Sequence, residues 1–195
     1  MLGNDLIDLS LPDNQGKAQQ PRLLQKICTP SEQDYIRQQK DPHRALWQVW
    51  SCKESAYKVA IKNDYPPCYR PLDLCVLPYN EQSAIVQTPI GMLHTRTFFA
   101  DQYLHTIATL HPAQLDKVPY KIWELPTNNE QYPPEVLRKY YHTFIGEELQ
   151  LPVEQLQIRK NALHIPQVYC QEQLLPCDIS ISDDGNFIAV ALLQL

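Results

Sequence analysis

From Asp41 to about Asn63 the chain carries one unbroken helical pattern, the longest element the sequence supports. Leu46, Val49, Trp50, Lys53, Tyr57, Ala60 and Ile61 recur at three- and four-residue steps. Asp41-Pro42 opens the pattern with a capping side chain and a proline at the first helical position. A second start signal precedes it. Thr29-Pro30-Ser31-Glu32 reads as a capping box and predicts a helix of about ten residues.

Strand-like runs surround these helices. Leu6, Ile7 and Leu9 predict a short first strand that ends at the turn formers Pro12, Asp13, Asn14 and Gly16. Beyond Pro66-Pro67, runs over 72–77, 83–87, 93–99 and 103–110 predict an antiparallel sheet beside that first strand. Residues 111–134 hold five prolines and little periodicity, which predicts an ordered surface connection. After it, Leu137, Tyr140, Tyr141, Phe144, Ile145 and Leu149 mark another amphipathic helix, followed by strands at 156–158, 178–182 and 187–193. Helix followed by strands thus occurs twice, and Ala100–Leu110 faintly echoes Asp183–Leu193. With 17 prolines against 5 glycines, the connections are expected to be stiff. The expected fold class is α+β.

Composition excludes several functions. Lys and Arg total 17 against 22 Asp and Glu, a formal net charge of −5, so a backbone-tracking nucleic-acid binder is not expected. No run approaches the roughly 20 apolar residues of a membrane span, and the acids in MLGNDLIDLS do not suit a secretory signal. A cytoplasmic protein is the expectation. The six cysteines include no CxxC pair, which predicts reduced, mostly packed thiols rather than a zinc site or disulfide framework.

Chemistry is suggested at two places. Helix geometry puts Glu54 and Lys58 one turn apart on a common face, a spacing that describes either a solvated ion pair or a functional pair. Asp5 and Asp8, at the mouth of the first strand, could bring a carboxylate to Glu54 from a separate element. Two or three such oxygens, completed by water and substrate phosphate, suit magnesium. A lysine one turn away could neutralise a phosphate leaving group. The histidines have no ligand-like spacing and read as structural or surface residues.

With their neighbours, these residues form three motifs in order. Gly3-Asn4-Asp5-Leu6-Ile7-Asp8-Leu9 resembles G-x-D-[IV]-x-[DE]-[IL]. Trp50-Ser51-Cys52-Lys53-Glu54-Ser55-Ala56-Tyr57-Lys58 resembles W-[ST]-x-K-E-[AS]-x-x-K. The segment from Ile179 to Ala191, with Ser180, Ser182 and Asp183, is similar to [VI]-S-[IL]-S-H-x-x-[YF]-x-x-A. Together they resemble the 4′-phosphopantetheinyl transferase superfamily.

The resemblance implies an enzyme that moves the phosphopantetheine arm of coenzyme A onto a serine of an acyl or peptidyl carrier protein, releasing adenosine 3′,5′-bisphosphate. It implies that Asp5 and Glu54 hold Mg2+ with the pyrophosphate, and that Lys58 contacts the phosphate. Glu54 or a metal-bound water would take the serine proton. Asp183 stands at the third-motif position near the coenzyme A phosphates, and Ser180 and Ser182, alternating with Ile179 and Ile181, either face the cleft together as coenzyme A contacts or form the polar side of a half-buried strand. Arg44, Lys53 and Lys160 are candidate phosphate contacts or plain solvated surface. A degenerate module that binds coenzyme A or a carrier protein without turnover is the alternative.

Two departures accompany the resemblance. The second acid is Asp8, as in the small members of the family, while Ile7 stands where larger members carry it. Asp183 replaces the usual histidine and would repel coenzyme A phosphates unless turned away or protonated. The motif order belongs to the small type, yet the chain is much longer. The expectation is the family fold as a pseudodimer: a first lobe over 1–111, a connection over 112–133 and a second lobe over 134–195. Coenzyme A would lie in the cleft between lobes of a monomer.

Overall fold

A computed structural model describes residues 1–78, 80–126 and 132–195. The long helical pattern is α3, Pro42–Ile61, with the Asp41 side chain accepting the Arg44 N–H at its start. Helix α2, Pro30–Gln38, begins with the capping box, in which the Thr29 side chain and Glu32 satisfy each other's backbone N–H groups. A shorter helix, α1 (Pro21–Ile27), precedes it with no side-chain cap.

The first strand, β1 (Leu2–Asp8), lies at the edge of a five-stranded antiparallel sheet with β2 (Cys75–Pro78), β3 (Ser83–Thr88), β4 (Gly91–Phe99) and β5 (Tyr103–Thr109). The order is β1-β5-β4-β3-β2, so the last strand returns beside the first. Helix α3 crosses this sheet and buries Leu46, Val49, Cys52, Ala56 and Val59 in the largest core cluster. Gly3 lets the helix approach β1, because a Cβ there would overlap the Ser55 carbonyl oxygen.

The proline-rich stretch differs from the expected surface connection. It contains the short helix α4 (Pro112–Leu115) and the strand β6 (Tyr120–Glu124). Leu115 and Val118 are buried with Leu2, Ile107, Ala191 and Leu193 in a core shared by both halves. The prolines flank the five-residue strand without entering it, so they do not interrupt its ladder. Residues 127–131 of the expected connection lie outside the described residues.

Helix α5 (Pro134–Leu149) has proline at its first position and ends at Gln150 in a left-handed conformation. Two small antiparallel sheets follow. One joins β7 (Leu156–Lys160), β8 (Pro166–Cys170) and β9 (Gln173–Leu174). The other orders β10 (Cys177–Asp184), β11 (Phe187–Gln194) and β6 as β10-β11-β6. In both halves the first strand therefore pairs with the last, and the last with the one before it.

The halves meet along β1 and β10, but the two strands do not exchange backbone hydrogen bonds. The N–H groups of Leu2, Asn4, Leu6 and Asp8 instead donate to side chains of Asp178, Ser180, Ser182 and Asp184, at 2.6, 2.8, 3.1 and 2.8 Å. Alternate residues of β10 thus satisfy every second N–H of β1, so a buried sheet edge carries no orphan donors there. No described helix is long and apolar enough to cross a membrane, and all six cysteines are free.

Candidate active site

Burial and strand register bring Asp5 to the foot of α3. Asp5 is 7% exposed, and its Oδ1 takes hydrogen bonds from Lys58 Nζ at 3.5 Å and Ser182 Oγ at 3.2 Å. Its Oδ2 is buried and has no hydrogen-bond partner among the described residues. Desolvation raises the Asp5 pKa, against the opposing pull of Lys58 and of the Ser182 hydroxyl. Glu54, one helical turn before Lys58, has its carboxyl pushed up to about 7, first by burial and then by the charge of Asp5. Glu54 is therefore close enough to Asp5 to feel its charge.

Lys58 is paired through β1 rather than with Glu54. Its ammonium donates to the Asn4 carbonyl at 2.7 Å and to Asp5. The phenol of Tyr69, held edge-on against Trp50 and Tyr57, is buried without a hydrogen-bond partner among the described residues. Burial and then the Glu54 charge raise its pKa, which places the ring beside the carboxyl.

A cleft of 740 Å³ opens from Glu54 and Lys58 toward the second half, reaching α5, β7 and β10. Tyr57, Ile61, Leu137, Tyr141 and Ile181 give it an apolar wall, Lys58, Arg138 and Lys160 give it cations, and the His164 imidazole borders it. Arg138 and Lys160 make no ion pair among the described residues, whereas Arg159 is bound to Glu172 at 2.6 Å and lies over Tyr169. Lys62 also borders the cleft, but it is 5% exposed at its side chain and donates to the Leu2 and Ile179 carbonyls and to Asp178.

The remaining sequence candidates separate. Lys160, Ser180 and Asp183 line the cleft. Asp183 faces it beside Tyr141, whose pKa is raised by burial and by that carboxylate, so the aspartate is not turned away. Ser180 and Ser182 are 3% and 6% exposed and are bonded to β1. Lys53 is not at the cleft. It is fully buried, pairs with Glu32 at 2.7 Å and donates to the Ile27 and Pro71 carbonyls. Its place beside Glu54 in sequence is a 100° turn away on the helix, on the stripe with Val49, Ala56 and Ala60. Arg44 is also away, ten residues and about 15 Å along the helix from Glu54. It donates to the Ala100 carbonyl, lies over Phe99 and borders a separate cavity. Asp8 closes a turn, accepting from Ser10 and from the Asn186 N–H, with Gly185 in a left-handed conformation against it.

The sequence reading missed Arg138 and the cleft position of His164. Arg138 follows Leu137 and precedes Tyr141 by three residues, so the edge of the apolar stripe of α5 was the available signal. His164 has φ +59 in a loop, and nothing in the sequence pattern marked it.

The pattern that defines the 4′-phosphopantetheinyl transferase superfamily matches residues 1–114, more than half of the chain. The chain belongs to this superfamily. The match spans β1, α3 and the whole first sheet, which are the elements that bring Asp5, Glu54 and Lys58 together. No curated protein matches the chain.

Among the described residues, no three His, Cys, Asp or Glu side chains gather as a metal-binding group. The unpartnered Asp5 Oδ2 and the adjacent Glu54 carboxyl nevertheless fit magnesium, which takes one or two carboxylates and leaves its other positions to water and phosphate.

Proposed function

We propose that the chain transfers the 4′-phosphopantetheine arm of coenzyme A to a serine of an apo acyl or peptidyl carrier protein. One observation carries this reading: two carboxylates from different elements meet with a lysine at the mouth of a cleft that is apolar at one wall and cationic at another. A nucleotide thioester precursor such as coenzyme A has matching parts, with phosphates for Lys58, Lys160 and Arg138 and an uncharged arm and base for the apolar wall.

In the proposed reaction, the carrier serine oxygen forms a bond to the phosphorus that bears pantetheine. The bond from that phosphorus to the bridging oxygen of the pyrophosphate breaks, and adenosine 3′,5′-bisphosphate leaves with the electron pair. The serine proton passes to the Glu54 carboxylate. Lys58 places a fixed positive charge beside the developing charge, with no enzyme nucleophile needed. Asp5 and Glu54 would hold Mg2+, which when bound supplies further neutralisation of the pyrophosphate.

We read the two halves as related lobes of a pseudodimer, on the shared β1-β5-β4 and β6-β11-β10 connections. The first lobe carries the carboxylates, and the second begins at β6 rather than at residue 134. Because the cleft is completed within one chain, a monomer of 22.6 kDa is the expected solution state, measurable by light scattering.

Asp183 at the cleft favours a second reading, a module that binds coenzyme A without turnover. Mass spectrometry of an apo carrier protein incubated with the chain, coenzyme A and magnesium separates the two. Addition of the phosphopantetheine mass supports the transferase. Calorimetric binding of coenzyme A with no addition to any of several carrier proteins supports the binding module.

A further inference from the structure

We propose that Ser182 is a positioning residue that holds the Asp5 carboxylate for its cation; this deepens the function proposed above and rests on it. The four side chains of β10 that face β1 share one task, accepting every second β1 N–H, and Ser182 has another. Its Oγ accepts the Leu6 N–H at 3.1 Å and stands 3.2 Å from Asp5 Oδ1. A backbone N–H can only donate, so the Ser182 proton is left for the carboxylate. Lys58 Nζ approaches the same oxygen. Asp5 is thus held through Oδ1 by two donors from two elements, while buried Oδ2 has no hydrogen-bond partner among the described residues.

That asymmetry is what a carboxylate ligand requires: one oxygen orients the group and the other binds. The rung next to it shows that sealing the seam does not demand it. Ser180 accepts the Asn4 N–H at 2.8 Å and has no bond to a carboxylate among the described residues. The second half of the chain would in this way reach a ligand that belongs to the first, which couples closure of the seam to assembly of the site.

Ser180 and Ser182 form a matched pair for the test. Magnesium chloride is titrated calorimetrically into the intact chain without coenzyme A, and urea midpoints are measured alongside. Ser182→Ala and Ser180→Ala each remove one acceptor for β1 and should lower the urea midpoint alike. Ser182→Ala should weaken magnesium binding by about 10- to 100-fold, while Ser180→Ala leaves it within about twofold and Ser182→Thr, which keeps the hydroxyl, restores it. Should Ser182→Ala not fold, Ser182→Cys keeps the shape with a weaker donor and carries the same expectation in the same direction. Unchanged affinity in the Ser182 variants, or an equal loss in Ser180→Ala, would overturn the inference while leaving the proposed function standing. No saturable magnesium heat in the unmutated chain would overturn the metal site and this inference together.

Discussion

Lys53 and Lys58 stand five residues apart on one helix and have opposite fates. Lys53 points into the first half, has no solvent exposure, and meets Glu32 and the Ile27 and Pro71 carbonyls. Glu32 in turn accepts the Thr29 and Val76 N–H groups, so one buried pair ties α1, α2, α3 and the entry to β2. Lys58, with 26% of its side chain exposed, leans over β1 to Asn4 and Asp5 at the cleft. The helix thus has a face whose charges are fully satisfied by the fold and a face, beside Asp5 of β1, whose one carboxylate is not. Residue type does not distinguish the two lysines; the direction around the helix does.

The contrast can be broken most severely at Glu54. Glu54→Gln removes the proposed proton acceptor and should lower the transfer rate by about 10²- to 10⁴-fold, measured by carrier-protein mass shift over time. Its stability effect should have the opposite sign. The folded pKa of about 7 lies above the ordinary 4.5, so the ionised carboxylate costs stability as pH rises between those values. Urea midpoints of the metal-free protein at pH 8 should therefore be no lower in Glu54→Gln than in the parent. A rate within a few fold of the parent would remove Glu54 from the reaction.

Lys53→Met leaves Glu32 buried without its cation and should cost about 3–5 kcal/mol in urea unfolding, since removing one partner of a buried pair strands the other charge. A change in coenzyme A affinity without such a loss would return Lys53 to the cleft. A smaller effect is expected from His105, which is fully buried, contacts the Asn4 side-chain nitrogen at 3.1 Å and has its pKa lowered to about 3, chiefly by burial. Its folded value lies below the unfolded 6.5, so its stability contribution is present above about pH 6.5 and is lost as pH falls toward 3. His105→Gln should flatten that part of the acid limb, and an unchanged limb would contradict the assignment. Smallest of all, Arg44→Ala loses its bond to Ala100 and its place over Phe99 at a cost of about 1 kcal/mol, with the coenzyme A KM unaltered.

Much of the first half was legible because its signals are local. The capping box of α2, the Asp41-Pro42 start of α3 and the alternating strands of the first sheet each follow from neighbouring residues. Helix α1 was not, being seven residues long and lacking a side-chain cap. The hairpin of β8 and β9 was missed because its strands are short and mostly half-exposed. Strand β6 was hidden by flanking prolines, though Tyr120-Lys121-Ile122-Trp123-Glu124 alternates weakly. At the site, Glu54 and Lys58 follow from helical spacing, and Asp5 joins them through the first motif. The side-chain ladder could not be foreseen from β10 alone. Its row of Asp178, Ser180, Ser182 and Asp184 looks like any polar strand face until β1 lies beside it with N–H groups to satisfy. Lys53 carried a usable signal, since its phase matches the apolar stripe of α3.

The most direct test of the central claim is kcat/KM for carrier-protein modification by Lys58→Met and Lys53→Met, measured side by side under conditions where both remain folded. The expected result is a loss of about 10²- to 10³-fold for Lys58→Met and, per folded molecule, a value near that of the parent for Lys53→Met. The reverse ranking, with Lys53 needed for turnover and Lys58 dispensable, would contradict it.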